Sequence, residues 1–144
     1  MDIKTFLKSK KEEHLLDGLA AVDDVSINAI RLGQKNAPDD YLEFLQEFGS
    51  GEIETTGFML YNGFLEASDI FDDEAAVQFE GVMIFGDDMQ GRCVGFDKND
   101  EWAVVEIDAA DMSVKKLCET FSLFVIVCWG SSGRKGNRFI QVRV

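Results

Sequence analysis

A chain of 144 residues, 46% of them apolar, has the size and composition of one globular domain able to bury about 70% of its unfolded surface. Its formal charge of −13 argues against direct nucleic-acid binding, which needs a basic surface, and its longest apolar run, at 123–129, is far short of the roughly 20 residues that cross a bilayer. No apolar run of signal-peptide length opens the chain, which predicts a cytoplasmic protein, and Cys93, Cys118 and Cys128, odd in number and without a CxxC pair, read as reduced, mostly buried thiols.

The charge is unevenly placed. Residues 1–38 balance six acids with six bases. Residues 39–111 hold twenty acids against Arg92 and Lys98, a net of −18. Residues 112–144 hold Glu119 against Lys115, Lys116, Arg134, Lys135, Arg138 and Arg143, a net of +5. An acidic surface attracts basic partners and speeds their encounter; solubility is the plainer use of the same charge.

Residues 2–35 read as broken helix. Ile3, Phe6 and Leu7 make a short apolar stripe, and Leu15, Leu16, Leu19, Ala20 and Val22 follow it around Gly18. Ser26 can cap a turn running through Ile27, Ile30 and Leu32 to a stop at Gly33. The sharpest signal is at 38–51. Pro38 opens a helix where its missing N–H costs nothing, and Asp39 and Asp40 place negative charge at the positive end of the dipole. Tyr41, Leu42, Phe44, Leu45 and Phe48 form one wide apolar face. Gly49 offers the left-handed conformation that ends helices, and Ser50-Gly51 starts a loop.

Near residue 55 the period changes to that of strands. Residues 58–61 and 64–65 flank Asn62-Gly63, a two-residue hairpin signal. A short helical or irregular link spans 67–77. Apolar strands at 82–85, 92–96 and 102–107 are separated by polar turns at 86–91 and 98–101, and short turns between successive strands mean antiparallel pairing. Residues 114–117 offer a further strand. Residues 120–129 read as a buried helix across the sheet, capped by Thr120 and ended by Gly130; their β-branched content leaves a strand as the alternative. A basic loop at 131–138 and an alternating strand at 139–144 complete the chain. The fold class expected is α+β, with helices flanking an antiparallel sheet.

The order of these segments resembles the SUKH superfamily, the bacterial immunity proteins related to fungal Smi/Knr cell-wall regulators. The family helix motif is matched by Pro38, Tyr41, Phe44, Leu45 and Gly51; Ser50-Gly51 stands where the family usually has Asn-Gly. The strand-turn motif is matched by Phe85, Gly86, Asp88 and Gly91, and the strand after it by Val94, Phe96 and Asp97. The matched core covers about 35–130 of a single domain, 1–144. The resemblance implies helices packed on an antiparallel sheet and a non-enzymatic role in binding another protein, in bacteria a secreted toxin and often a nuclease.

Few residue groups suggest chemistry. Asp87-Asp88 can act as paired carboxylates, but Asp also favours tight turns for its local hydrogen bonds. Residues 97–101 open like a calcium loop, yet Trp102 and Asp108 stand where Gly and Glu are required, so a solvated turn is the reading. His14 is the only histidine, on the polar side of a helical segment, and no local signature pairs it with a cysteine. Gly49-Ser50-Gly51 follows a helix and lacks the spacing of a nucleophile elbow. Arg134 and Lys135 among Gly130, Gly133 and Gly136 can meet a phosphate but form no nucleotide loop. No enzyme, no cofactor and no metal are expected.

The expected function is therefore capture of a protein partner, most directly a basic toxin domain, with no nucleic acid or membrane bound directly. A regulatory or scaffold domain for a cellular partner is the alternative. The acids expected to meet a partner are Asp69, Asp72, Asp73, Glu74, Asp87, Asp88, Asp97, Asp100 and Glu101. Phe71 and Phe79 are either exposed anchors among them or core residues.

Overall fold

The computed structural model describes residues 3–14, 16–53 and 57–129, with side chains described as far as Val127. Among them, seven strands form one sheet in the order of the sequence, every neighbouring pair antiparallel. The strands are β1 (Leu19–Ala20), β2 (Ser50–Ile53), β3 (Phe58–Glu66), β4 (Val82–Asp87), β5 (Arg92–Asp97), β6 (Ala103–Asp108) and β7 (Ser113–Cys118). Helices α1 (Ile3–Glu12), α2 (Asp24–Gly33) and α3 (Asp39–Glu47) precede or interrupt the first strands. Two short helices, α4 (Ala67–Ile70) and α5 (Asp73–Gln78), link β3 to β4, and α6 (Phe121–Phe124) follows β7 and runs on as a π-helical turn, Val125–Trp129. This is the α+β arrangement read from the sequence.

Two layers of unequal depth cover the sheet. On one face Phe58, Leu60, Phe85, Val94, Phe96 and Val104 meet α1, α2, α3 and α6. Phe85 lies at the centre of this aromatic core, its ring centroid 4.7 Å from Phe96, 5.6 Å from Phe121 and 5.7 Å from both Phe124 and Tyr41. On the other face a smaller cluster joins Val82, Ile84, Cys93, Val105 and Ile107 to Ala67 and Phe79 of the α4–α5 segment.

The 38–51 segment folds as its sequence directs. Pro38 is the N-cap of α3, Tyr41, Leu42, Phe44 and Leu45 are buried, and Gly49 has φ +107°. Asp40 does more than favour the dipole. Its Oδ2 accepts the backbone N–H of Ser122 at 2.9 Å and the Ser122 hydroxyl at 2.8 Å, clamping α3 to the start of α6. Gly86 has a steric reason. A Cβ there would lie 2.5 Å from Phe58 Cζ and 2.5 Å from the Met59 carbonyl, so only glycine lets the Phe58 ring pass over β4.

Several local expectations differ from the structure. Asn62-Gly63 is not a hairpin turn: β3 runs through it, with a register shift between the Leu60–Gly86 and Leu65–Ile84 pairs. Phe64 keeps the chain in the sheet by stacking on Tyr41 at 5.2 Å and meeting Trp102 at 5.9 Å, and the bulge absorbs the extra residues. Residues 19–20 are strand rather than helix, because Leu19 and Ala20 pair with Gly51 and Ser50 and the Val22 N–H donates to the Leu45 carbonyl. Ser50-Gly51 is consequently strand and not loop. The cap of α2 is Asp23, whose carboxylate accepts the Ser26 N–H at 2.8 Å, so Ser26 lies in the first turn. The 120–129 segment is helical, and Thr120 caps it by accepting the Leu123 N–H, though Leu123 and Val127 face solvent. Gly130, the basic loop at 131–138, the strand at 139–144 and the side chain of Cys128 lie outside the described residues.

Candidate partner-binding surface

The meander sorts the nine acids to opposite ends of the sheet. At one end β3 stops, β4 starts and the β5–β6 turn closes. Asp69 lies in α4, Asp72 caps α5 by accepting the Ala75 N–H at 2.9 Å, and Asp73 and Glu74 fill its first turn. Asp97, Asp100 and Glu101 belong to the β5–β6 turn, a 3-10 turn in which Asp97 accepts the Asn99 N–H at 2.9 Å and Glu101 takes φ 52°. That turn docks beside the α5–β4 connection, where the Lys98 N–H donates to the Gly81 carbonyl at 2.9 Å. Seven of the nine acids therefore share one end. Asp69, Asp72, Asp73, Glu74 and Glu101 are exposed, while Asp97 and Asp100 are half-buried and Asp100 meets Lys116 at 3.4 Å.

Asp87 and Asp88 lie at the other end, where β4 closes on Asp87 and the β4–β5 turn opens on Asp88, and both turn inward. Asp87 accepts the Tyr61 hydroxyl and the Met89 N–H. Asp88 is only 4% exposed, accepts the N–H groups of Gln90 and Arg92, and pairs with the Arg92 guanidinium at 3.9 Å. Asp88 thus holds its own turn together and offers a partner almost no surface. Arg92 also meets Asp108 at 3.5 Å, which neutralises part of this end.

The aromatic candidates are core residues. Phe79 is buried, and Phe71 packs on it at 5.2 Å. His14 sits on the exposed surface, past the end of α1 with φ 66°, and pairs with Asp17 at 3.0 Å. Cys93 is buried; desolvation first, then the charges of Asp87 and Asp88, push its thiol up to about 11, so it stays protonated at neutral pH and is a poor nucleophile. Among the described residues no group of three His, Cys, Asp or Glu side chains is arranged to hold a metal ion. No helix among them is long and apolar enough to cross a membrane.

Three features escaped the sequence reading. Glu66 and Glu80 join the acidic end, beside a groove under α5. Val77 is 68% exposed there, and its signal was available: Ala76 and Phe79 take the inward face of α5, which leaves Val77 outside it. Glu106 gave no signal at all. It lies opposite Val94 and Lys115, is 2% exposed, and its Oε2 has no hydrogen-bond partner among the described residues. Burial pushes its carboxyl above the ordinary range, Arg92 and Lys115 pull it back, and Asp88 and Asp108 add to the rise.

The motif residues Pro38, Tyr41, Phe44, Phe85, Gly86, Asp88 and Phe96 now each have a structural position. The family model SUKH_6, described as SMI1-KNR4 cell-wall, matches residues 34–125, most of the chain. The chain belongs to the SUKH family. The match begins before α3 and ends in α6, so it takes in the aromatic core and the α4–α5 segment. No curated protein and no solved structure matches the chain. SUKH membership supports a protein-binding role of the immunity or SMI1-KNR4-like regulatory kind, in a family that is in general non-catalytic.

Proposed function

We propose that this SUKH domain is an immunity protein, a single cytoplasmic domain over 1–144 that neutralises a basic toxin through the acid-bearing end of its sheet. The observation that carries this reading is the gathering of Asp69, Asp72, Asp73, Glu74, Asp97, Asp100 and Glu101 onto one end, with Glu66 and Glu80 beside them. If the toxin is a nuclease, its cleft is positively charged to hold phosphate, and an acidic domain seated there excludes the nucleic acid. Complementary charge also makes capture fast, which matters for a lethal enzyme. No catalytic residue, metal or cofactor enters this reading.

The test is surface plasmon resonance against the co-purified partner over a salt series. Association is expected to slow steeply as salt rises, because exposed charges are screened beyond about 8 Å at physiological ionic strength. Neutralising Asp72, Asp73 and Glu74 together should weaken binding more than neutralising Lys10 and Lys11. A salt-independent association rate with unchanged affinity in the acid variant would leave the charge to solubility alone. The second reading, a regulatory domain for a cellular partner, is favoured by the SMI1-KNR4 cell-wall description of the matching family model. Identifying the co-purified protein by mass spectrometry separates the two.

A further inference from the structure

The geometry points to the groove beneath α5 as the receptor for a partner segment that carries lysine or arginine next to aliphatic side chains. The inference rests on the protein-binding reading above and narrows it from an acidic end to one groove. The groove measures about 410 Å³, the size of a site for a few side chains. Its walls come from α5, the end of β3 and the start of β4, with Lys98 of the β5–β6 turn at the rim. Phe79 and Ala76 supply an apolar floor, and Val77 stands exposed beside them. Ile70 of α4 and Leu65 of β3 are also partly open to solvent on the α4–α5 side of the sheet. An exposed apolar patch rimmed by polar groups marks an interaction surface.

The rim decides the occupant. Glu66, Asp73 and Glu80 line the groove against the single cation Lys98. Glu66 is committed to the reciprocal cap of α4 with Asp69. Asp73 and Glu80 are exposed, and their carboxylates make no hydrogen bond or ion pair among the described residues. Two uncommitted carboxylates over an apolar floor match a cationic head on an aliphatic stem. A purely apolar segment would desolvate both carboxylates without pairing them, and an acidic one would be repelled.

The experiment titrates the 15N-labelled full chain with three synthetic peptides of about twelve residues, alternating Lys-Leu, Lys-Ser or Glu-Leu. The Lys-Leu peptide should shift the amides of Asp73, Val77, Glu80 and Lys98 and bind about fivefold tighter than Lys-Ser; Glu-Leu should cause no shift. Val77→Lys should weaken Lys-Leu binding about tenfold, whereas Asp111→Asn, at the far end of the sheet, should change it less than twofold. The unperturbed amides of each variant report that its fold is intact. Shifts centred elsewhere, equal binding of Lys-Leu and Lys-Ser, or indifference to Val77→Lys would overturn the groove. A basic partner that still binds with steep salt dependence in that case would leave the immunity reading standing. Lys-Leu peptides seated in the groove, together with a partner whose association ignores salt, would support the groove and remove the immunity reading.

Discussion

The two layers on this sheet use their residues for opposite purposes. The deep layer, under α1, α2, α3 and α6, holds nearly all the buried aromatics and every aromatic of the family motif. The shallow layer, under α4 and α5, holds one small cluster and carries exposed acids around an open groove. Most SUKH motif residues therefore record what the fold needs, while the acids proposed to meet a partner lie, Asp97 apart, in segments that the motif leaves free. Asp88 and Asp72 make the point in one residue type. The first is a motif residue and is buried under its turn; the second caps α5 at the surface.

Substitutions can separate the layers by their cost. Phe124→Ala or Phe44→Ala in the deep layer should destabilise by about 3–5 kcal/mol in urea melts, from lost transfer energy and a cavity. A loss below about 1 kcal/mol at both sites would dissolve the distinction. Asp88→Ala should cost about 2–3 kcal/mol, because the N–H groups of Gln90 and Arg92 lose a charged acceptor inside the protein. A surface-like loss would return Asp88 to the partner-facing set.

Glu106 sharpens the comparison with a sign. A carboxyl raised by burial contributes most below the ordinary glutamate value of about 4.3, and that stability is lost as pH rises through its raised native value. Glu106→Gln removes the charge and keeps the shape. It should match the wild type near pH 3 and exceed it by about 1 kcal/mol at pH 7, the scale of one unsatisfied buried group. Equal stability at pH 7 would mean that Arg92 and Lys115 already compensate the charge. The smallest effect belongs to the shallow layer: Asp72→Asn, Asp73→Asn and Glu74→Gln together, which keep a capping side chain at the start of α5, should move stability by about 0.5 kcal/mol even where they weaken capture.

Much of the fold was legible because local signals and tertiary need agreed. Pro38, the apolar face of α3 and Gly49 all give one reading, and the β4–β5–β6 meander follows from its turns. Disagreement appeared where a distant contact overrode a local preference. Asn62-Gly63 favours a hairpin, but Phe64 has Tyr41 and Trp102 to bury against, and those rings come from other elements. Residues 19–20 become strand only because β2 arrives beside them. The acid set was partly legible for the same reason. Charge shows in sequence, but the direction a turn points does not, so Asp88 and Asp72 looked alike. Glu106 could not be read, because nothing in Ala-Val-Val-Glu-Ile-Asp says which face of β6 is covered.

The Asp40–Ser122 clamp has a consequence in time. Strands β4 to β7 each pair with the next across a short turn, so that part of the meander can assemble hairpin by hairpin at small entropic cost. The clamp joins positions 82 residues apart, with β2 to β7 lying between them in the chain. Closing so long a loop is expected late on the folding path, because its entropic cost exceeds that of the short turns. Weakening it should act as a faster exit from the native state more than a slower entry: Ser122→Ala, which removes the hydroxyl bond and keeps the backbone one, should raise the unfolding arm of a chevron plot and leave the refolding arm nearly unmoved. A slowed refolding arm would place the clamp in the nucleus instead. On the expected outcome, the aspartate beside the family tyrosine governs how long the finished domain lasts, and the strand turns how soon it forms.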